Sequence, residues 1–347
     1  MHKQRPKITQ RKLEHLKIFR EKDISFQKSN GFSKYRLRHT SLPELNMTDI
    51  DISTKFLGYE LTMPFMISAI TGGESEGHEL NRNLAKIAAE KKVALALGSM
   101  RPCLENKDRI DSFSVAKKIA PGIPVIANIG GQQLLQYELP LINERLRVMQ
   151  VDGLAIHLNP LQEALQPEGD KDFTGIKAKI ARAVEELSVP VIIKEVGFGL
   201  TADDIKELSR LGIKWFDIAG AGGTSWAMIE KYRIKNPVDI AVADEFSEFG
   251  ISTAELLVNS LGIKNANIIA SGGINRALDF AKALAMGAKL CGSAGEILRQ
   301  YNAKGTTGIE QMLDIFKKTL QIALFITGSK TLQDFQNNDT IEECLKI

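Results

Sequence analysis

The chain has 347 residues, of which 44% are hydrophobic and 25% charged, as is ordinary for a globular enzyme. This length allows one large barrel or two mid-sized domains, and its core needs no metal or disulfide to be stable. The formal net charge is +3, and the 45 basic residues are interspersed with 42 acidic ones, so no basic stripe indicates a nucleic-acid partner.

Cysteine usage and the N-terminal stretch indicate a location. Cys103, Cys291 and Cys344 are too far apart for a paired-cysteine metal motif and do not suggest a disulfide framework. A reducing cytoplasm is therefore the expected compartment. The basic stretch 1–12 is not followed by an apolar segment, so we do not interpret it as a signal peptide. No apolar run approaches the roughly 18 residues of a membrane span, so no membrane partner is expected.

The first 60 residues mix basic side chains with isolated apolar ones. We predict that residues 1–60 form an ordered extension packed at the mouth of a domain spanning 61–347. Two interpretations of its basic groups, Arg11-Lys12 and 36–39, remain open. They are a solvated patch, or they form a flap that brings cations to an anionic substrate, since arginine and lysine suit a diphosphate.

Eight short apolar runs follow the extension, each rich in Ile, Val, Leu, Ala or Phe without regular alternation. Such runs are typical of strands that are buried on both faces of a parallel sheet. They cover 64–70, 93–98, 124–129, 153–158, 190–194, 215–219, 267–270 and 289–291.

Helical patterns separate these runs. The stretches 79–92, 173–187, 252–261 and 278–286 are predicted helices, and Thr201 is the predicted N-cap of another. Eight strands alternating with helices predict a (β/α)8 barrel. An open doubly wound sheet is the alternative, but its Gly-x-Gly-x-x-Gly turn does not follow the first run.

The longest predicted connection is the stretch 222–250, between the sixth and seventh strands. Long barrel loops are often lids over a site, so we interpret this one as a partly mobile lid.

The functional residues of such barrels lie at the C-terminal ends of the strands, and all eight ends here carry polar or glycine residues. The last two turns, 271–274 and 292–295, indicate a phosphate cup. Glycine lets backbone N–H groups approach an anion, and the helix that follows adds its dipole. The alternative is two tight turns that need glycine only for their backbone geometry.

Three further strand-end residues have more than one interpretation. Lys194 ends a buried strand, and three interpretations of it remain open. It is an ion-pair partner, a Schiff-base lysine, or a cation that faces an anionic ring such as reduced flavin. Glu163 is a Mg²⁺ ligand or an ordinary helix-face glutamate. His157 is a hydrogen-bonding group of the site or a histidine satisfied by neighbouring backbone.

In combination and order, the motifs of this chain resemble those of the type 2 isopentenyl-diphosphate isomerases, which depend on FMN. The resemblance extends over nearly the whole chain. The motifs are Arg11-Lys12 with Glu14-His15, the stretches 36–45, 71–73, 98–101, 128–130 and 156–159, Gln162-Glu163, and the stretches 194–197, 220–226 and 271–274.

The resemblance implies an activity and its cofactors. It implies that isopentenyl diphosphate and dimethylallyl diphosphate are interconverted by a 1,3 proton shift. It also implies FMN that is reduced before it acts, NADPH as one possible reductant, and Mg²⁺. A homo-oligomer, tetrameric or octameric, is the further expectation.

The resemblance also implies roles for residues at matching positions. Gln162, Lys194 and His157 are the candidate catalytic residues, and Glu163 is the candidate metal ligand. The implied FMN contacts are Ala69, Ile70, Thr71, Ser99, Asn128, Lys194, Thr224, Gly272, Gly273, Ile274, Ala294 and Gly295. The implied substrate contacts are Arg11, Lys12, Ser99, Met100, Arg101 and Gln162.

Two positions depart from the family pattern. The seventh turn continues as Ile274-Asn275-Arg276-Ala277, where Ile-Arg-x-Gly is frequent, so a phosphate contact from side chain 275 is in doubt. Phe249 stands where tryptophan is frequent, and we expect this to alter packing rather than chemistry.

Two other functions remain open. One is a flavin-dependent barrel that oxidises a small hydroxy acid, for which His157 is the only strand-end histidine. The other is a flavin-binding protein without catalytic activity, which would need the glycine turns but not Gln162, Glu163 or the basic extension.

Overall fold

The computed structural model describes residues 8–70, 75–337 and 339–344. Eight parallel strands close into a barrel in chain order, from β4 to β11 and back to β4. The strands are β1 (Tyr35–Leu37), β2 (Thr54–Phe56), β3 (Tyr59–Leu61), β4 (Phe65–Ile67), β5 (Ala94–Ser99), β6 (Val125–Gly130), β7 (Gly153–His157), β8 (Val191–Lys194), β9 (Trp215–Asp217), β10 (Asn267–Ala270), β11 (Leu290–Ser293) and β12 (Ile341–Glu343).

Helices surround the barrel and also cover its mouth. They are α1 (Ile8–Glu21), α2 (Ser75–Lys91), α3 (Arg101–Glu105), α4 (Asp111–Ile119), α5 (Gly131–Gln136), α6 (Leu139–Met149), α7 (Pro160–Leu165), α8 (Ile176–Glu186), α9 (Ala202–Ser209), α10 (Trp226–Lys231), α11 (Pro237–Glu245), α12 (Thr253–Ser260), α13 (Ala277–Ala285), α14 (Gly295–Ile326) and α15 (Leu332–Asn337). Within the described ranges, none of them combines the length and apolarity of a membrane span.

The predicted (β/α)8 barrel is confirmed, because each of the eight apolar runs overlaps one barrel strand. The predicted helices are also present, and Thr201 caps α9 through a capping box with Asp204. The stretch 222–250 differs from the predicted loop, since it contains α10 and α11. Ser225 and Asn236 start these two helices by accepting hydrogen bonds from the first-turn N–H groups of Met228 and Val238.

Side chains alternate between two apolar layers along each barrel strand. In β5, Ala94 and Ala96 belong to the cluster inside the barrel, whereas Leu95 and Leu97 belong to the cluster between strands and helices. The β2–β3 hairpin closes the end of the barrel from which the strands begin, and Phe56 packs edge-on against Trp215 with ring centroids 4.6 Å apart. The opposite end is therefore the one that remains for a site.

The N-terminal segment contacts the fold in three places. Helix α1 contributes to the cleft at the barrel mouth, and residues 24–30 run along the loop after β9 through backbone hydrogen bonds. Strand β1 pairs with β12, where Arg36 and Arg38 form ion pairs with Glu342 and Asp339. These two arginines therefore bind the chain's own C-terminal segment. The domain boundary at residue 60 stays a prediction.

Candidate active site

A cleft of about 280 Å³ lies where the barrel strands end, beneath α1. Every barrel strand contributes to its wall, either with its last residues or with the loop that follows. Because parallel strands end at the same edge of the sheet, residues far apart in the chain meet here. Among the predicted site residues, the wall includes Arg11, Lys12, Ala69, Ile70, Ser99, Asn128, His157, Gln162, Glu163, Lys194, Thr224, Gly272, Gly273, Ala294 and Gly295.

Three predicted residues that the structure describes are not among those that form this wall. Met100 and Ile274 are buried in the core, and Arg101 pairs with Glu105 on α3, with Nε 2.9 Å from Oε1. Their contacts with FMN or substrate stay predictions. Thr71 lies outside the described residues.

The glycine turns at one end of the cleft pack backbone against backbone. Gly272 and Gly273 have φ values of 98° and 70°, which side chains rarely adopt. A Cβ atom on Gly272 would lie 2.0 Å from the carbonyl oxygen of Gly220, and one on Gly273 would lie 2.3 Å from that of Gly222. The glycines are thus required by loop packing, and this packing brings their backbone to the cleft.

Helix α14 begins at the same end of the cleft, with Ala294 as its N-cap. Its first N–H groups have no carbonyl partner within the helix, so they and the helix dipole favour an anion there. Asn275 and Arg299 also line this end. The residue at the position that departs from the family pattern therefore lines the cleft.

His157, at the end of β7, is hydrogen-bonded to the neighbouring strand. Its Nδ1 lies 2.8 Å from Oδ1 of Asn128. Burial, together with the charges of Lys194 and Arg11, lowers the pKa of His157 to about 3. The imidazole is consequently neutral at physiological pH and serves as a hydrogen-bonding group rather than as a cation.

The buried neutral state of His157 leads to a prediction about stability. The unfolded imidazole, with a pKa of about 6.5, takes up a proton that the folded protein excludes. This contribution to stability is therefore complete above that pH and is lost as the pH falls toward 3. Between pH 7 and pH 5, we expect the free energy of unfolding to fall by about 2 kcal/mol more in the wild type than in His157→Asn.

Urea unfolding of both proteins at each pH measures this difference. Asparagine can place an amide nitrogen near the position of Nδ1, so the variant keeps a partner for Asn128. Equal pH dependence in the two proteins would show that His157 takes up its proton in the folded state.

Helix α7 presents two polar side chains that are oriented by their neighbours. Gln162 donates from Nε2 to Glu230 Oε1 at 3.0 Å, and its Oε1 accepts from Asn159 Nδ2 at 3.0 Å. Glu163 accepts from Asn159 Nδ2 at 3.2 Å and from the backbone N–H of Asp170 at 2.9 Å. Both side chains are less than a tenth exposed, so their positions are fixed before any ligand arrives.

Glu230 is fully buried and connects α10 to α1. His15 Nε2 lies 3.2 Å from Glu230 Oε1, and Arg233 Nη1 donates to Glu230 Oε2 at 2.6 Å. Burial alone would raise the pKa of Glu230, but His15, Arg233 and the Gln162 amide outweigh it, so the pKa is lowered. The carboxylate is thus ionised and orients Gln162.

Arg233 joins three segments at the mouth of the barrel. Besides Glu230, it contacts Glu14 on α1, with Nε 3.2 Å from Oε2, and Glu168 after α7. Its side chain is only 5% exposed, and a buried charge of this kind is stable only when paired. This cluster fixes α1 over the cleft.

The cations of α1 face the strand ends. Lys12 Nζ donates to the carbonyl oxygen of Ser99 at 3.3 Å, and Arg11 lies at the cleft wall. Burial and repulsion from Arg101 lower the pKa of Arg11, although carboxylates nearby oppose the shift. Arginine remains protonated in spite of such shifts, so the rim of the cleft is cationic and suits a polyanion.

No group of three or more His, Cys, Asp or Glu side chains within the described ranges is arranged to bind a metal ion. Glu163 stands at the cleft wall as a single candidate carboxylate. Mg²⁺ needs oxygen ligands and commonly combines one or two carboxylates with substrate phosphates and water. The site therefore fits a metal that arrives with a phosphorylated substrate.

Sequence reasoning missed several residues that the fold brings to the site. Asp217 had a visible signal, since it is a carboxylate inside an apolar strand. Glu230 and Arg233 had none, because their pattern is that of any charged helix. Further wall residues that received no predicted role are His15, Phe19, Ser68, Gln133, Gln166, Trp226 and Arg299.

The profile of the FMN-dependent dehydrogenase family matches residues 5–106 and 156–342. The chain therefore belongs to this family of FMN-dependent proteins.

Full-length relatives narrow the assignment. The isopentenyl-diphosphate delta-isomerase of Rickettsia canadensis (strain McKiel) is 41% identical over 94% of this chain and 95% of its own length. Those of Methanothermobacter thermautotrophicus and Borreliella afzelii (strain PKo) are 38% and 36% identical, each over 96% of this chain and 93% of its own length. The chain accordingly belongs to the isopentenyl-diphosphate delta-isomerase family, as its motifs predicted.

Solved structures share the barrel at much lower identity. The flavin-binding domain of baker's yeast flavocytochrome b2 superposes with a TM-score of 0.68 at 16% identity, covering 90% of this chain and 77% of that one. A mandelate oxidase variant with (S)-mandelic acid gives a TM-score of 0.64 at 11% identity, covering 97% of this chain and 94% of the other. Identity this low supports the fold alone.

The residues of the cleft fit FMN. Its glycine turns and the start of α14 offer N–H groups to a phosphate, and Lys194 offers a cation at the cleft wall. Apart from His15 Nε2, which lies 3.2 Å from Glu230 Oε1, three buried polar atoms of the cleft residues have no hydrogen-bond partner among the described residues, namely Ser68 Oγ, Gln166 Nε2 and Asp217 Oδ2. Unpaired buried polar atoms are costly and therefore indicate a polar ligand or water.

Proposed function

We propose that this protein interconverts isopentenyl diphosphate and dimethylallyl diphosphate, with reduced FMN and Mg²⁺ bound in the cleft. The observation that carries the proposal is the arrangement of two kinds of residue over one cleft. Glycine turns that suit the FMN phosphate lie at one end, and Gln162, Glu163 and the cations of α1 lie above. Relatives at 36–41% identity that bear this enzyme name support the choice of substrate.

The reaction adds a proton to one alkene carbon and removes a proton from another. An unactivated alkene is a weak base, so the cation that develops needs electrostatic stabilisation and protection from water. Reduced FMN, when bound, would supply the acid–base group at N5 and an electron-rich ring beside the cationic carbon. The remaining tasks, which are binding, orientation and exclusion of water, belong to the protein.

Each proposed protein role follows from a contact. Arg11 and Lys12 would bind the diphosphate, together with the Mg²⁺ that Glu163 would coordinate. Gln162 would orient the substrate, because Asn159 and Glu230 fix its amide from both ends. Lys194 would stabilise the anionic reduced ring. His157 would act as a neutral hydrogen-bonding group, because its pKa is lowered to about 3.

The remaining proposed contacts concern the cofactor, the substrate and the assembly. The proposed FMN contacts are Ala69, Ile70, Thr71, Ser99, Asn128, Thr224, Gly272, Gly273, Ile274, Ala294 and Gly295. Met100 and Arg101 would contribute to binding of the substrate. NADPH would serve as a reductant, and the protein would act as a homo-oligomer.

The test is anaerobic conversion of labelled isopentenyl diphosphate by the purified holoprotein with Mg²⁺ and dithionite or NADPH. We expect dimethylallyl diphosphate to form only when FMN is present and reduced. Yellow protein that stays inactive under these conditions would instead favour a binding protein. Reconstitution with reduced 5-deaza-FMN should abolish turnover, and full activity with it would refute the role of N5.

Oxidation of a small hydroxy acid is the alternative function, since a mandelate oxidase is among the proteins that share this barrel. Such chemistry needs a basic group near the substrate, and the low pKa of His157 makes it a weak base at neutral pH. Aerobic consumption of oxygen with lactate or mandelate would distinguish this activity from isomerisation.

A further inference from the structure

Asp217 is a buried carboxylate whose hydrogen bonding is incomplete. It ends β9 at the cleft wall, and only 1% of its surface is exposed. Its Oδ1 accepts a hydrogen bond from Ser271 Oγ, whereas Oδ2 has no partner in the described part of the chain. Burying a carboxylate costs several kcal/mol unless it is paired, so a cation is expected close to it.

Lys194 is the cation that the barrel places next to Asp217. In the register of β8 and β9, Lys194 is the partner of Asp217, and both residues line the cleft. Partners on adjacent strands project to the same side of a sheet. Lys194 Nζ donates to the carbonyl oxygen of Glu195, which leaves two of its three protons for other acceptors.

The electrostatics of the two groups are coupled. The pKa of Asp217 is raised by its burial, and the charge of Lys194 and the hydrogen bonds from Ser271 and the Ala219 backbone offset only part of that shift. Each charge therefore makes burial of the other less costly. Such a pair has no net charge, whereas either partner alone would leave a full charge at the cleft.

We propose that Asp217 is the counter-charge of Lys194 and, through it, sets the reduction potential of the bound FMN. Reduction places negative charge on the flavin ring, so a net positive site favours the reduced form and a net negative site opposes it. Asp217 thus moderates the stabilisation that Lys194 gives to the reduced ring. Asp217 would thus be a positioning residue that acts through Lys194. This inference rests on one part of the proposed function, the binding of FMN in the cleft.

Four proteins test the proposal by their FMN midpoint potentials, measured in the holoprotein without substrate. Asp217→Asn keeps an acceptor for Ser271 but leaves the site with net charge +1, so we expect the potential to rise. Lys194→Met leaves net charge −1 and should lower it. The double variant is neutral again and should return close to the wild type. We expect each single shift to correspond to about a tenfold change in the ratio of oxidised to reduced FMN affinity, or about 30 mV.

A matched control distinguishes charge at the cleft from a general loss of stability. Asp152 forms an ion pair with Lys117, with Oδ2 2.7 Å from Nζ, but it precedes β7 at the opposite end of the barrel. Asp152→Asn should lower stability without changing the potential. A comparable shift in this variant would overturn the assignment to Asp217.

The remaining outcomes also decide the question. An unchanged or lowered potential in Asp217→Asn would overturn the proposal, because it would mean that Asp217 is already protonated or only structural. If Asp217→Asn does not retain FMN, retention by the double variant supports the pair and its loss there refutes it. Because no substrate is present, a protein that binds FMN but fails as an isomerase still tests the inference.

Discussion

Glu163→Gln is expected to lower kcat/KM for isopentenyl diphosphate about a thousandfold while FMN stays bound. The amide keeps the size of the side chain but removes the negative charge that would hold Mg²⁺ beside the diphosphate. Stabilisation by a metal ion amounts to several kcal/mol, and about 4 kcal/mol corresponds to about three powers of ten in rate. Steady-state kinetics at several Mg²⁺ concentrations measure the loss.

The geometry around Glu163 makes this prediction specific. Its oxygens each accept one hydrogen bond, from Asn159 and from the Asp170 backbone, and keep lone pairs for a metal. The matched control is Glu186→Gln on the exposed face of α8, where the carboxylate pairs with Arg182, and activity should be unchanged. Loss of FMN from Glu163→Gln, or an unaltered Mg²⁺ dependence, would contradict the proposed metal role.

Gly272→Ala is expected to weaken FMN binding about a hundredfold, and with it to abolish most of the activity. The added Cβ would lie 2.0 Å from the Gly220 carbonyl oxygen and 2.5 Å from its nitrogen, both of which are backbone atoms that cannot rotate away. A side chain at a left-handed backbone position costs up to about 3 kcal/mol of strain. A loss of that size in the free energy of FMN binding corresponds to about a hundredfold in affinity. Equilibrium dialysis with FMN measures the change.

Gly58→Ala is the control for backbone conformation alone. Gly58 has a φ of 86°, close to the 98° of Gly272, but a Cβ there would meet nothing within 4 Å. We expect this variant to lose about 1 kcal/mol of stability and to bind FMN normally. Normal FMN binding by Gly272→Ala would mean that the loops after β9 and β10 can separate without disturbing the cofactor site.

The sequence predicted the barrel because its signal is local. A strand buried on both faces must be apolar along a short run, and a helix covering it must be amphipathic, so both patterns are visible without any partner. The same reasoning placed the site at the strand ends. It failed for 222–250, where α10 and α11 are short helices whose stability comes from packing.

Several site residues were also visible in the sequence. Lys194 and Glu163 were singled out by position, and the cleft wall contains both. For Glu163, the sequence left a helix-face glutamate as an alternative, and burial in the fold disfavours it, since the residue is 8% exposed. For the basic extension, the fold separated two groups, because Arg36 pairs with Glu342 whereas Arg11 lies at the cleft.

What the sequence by itself determined was the barrel, the face that carries the site and the family. These depend on periodicity, strand count and ordered motifs, all of which are properties of neighbouring residues. Only the tertiary structure decided that Asp217 lies beside Lys194, that Glu230 orients Gln162 and that Arg233 fixes α1 over the cleft. These relations join residues that are distant in the chain, and a buried charge takes its role from whichever partner the fold places beside it.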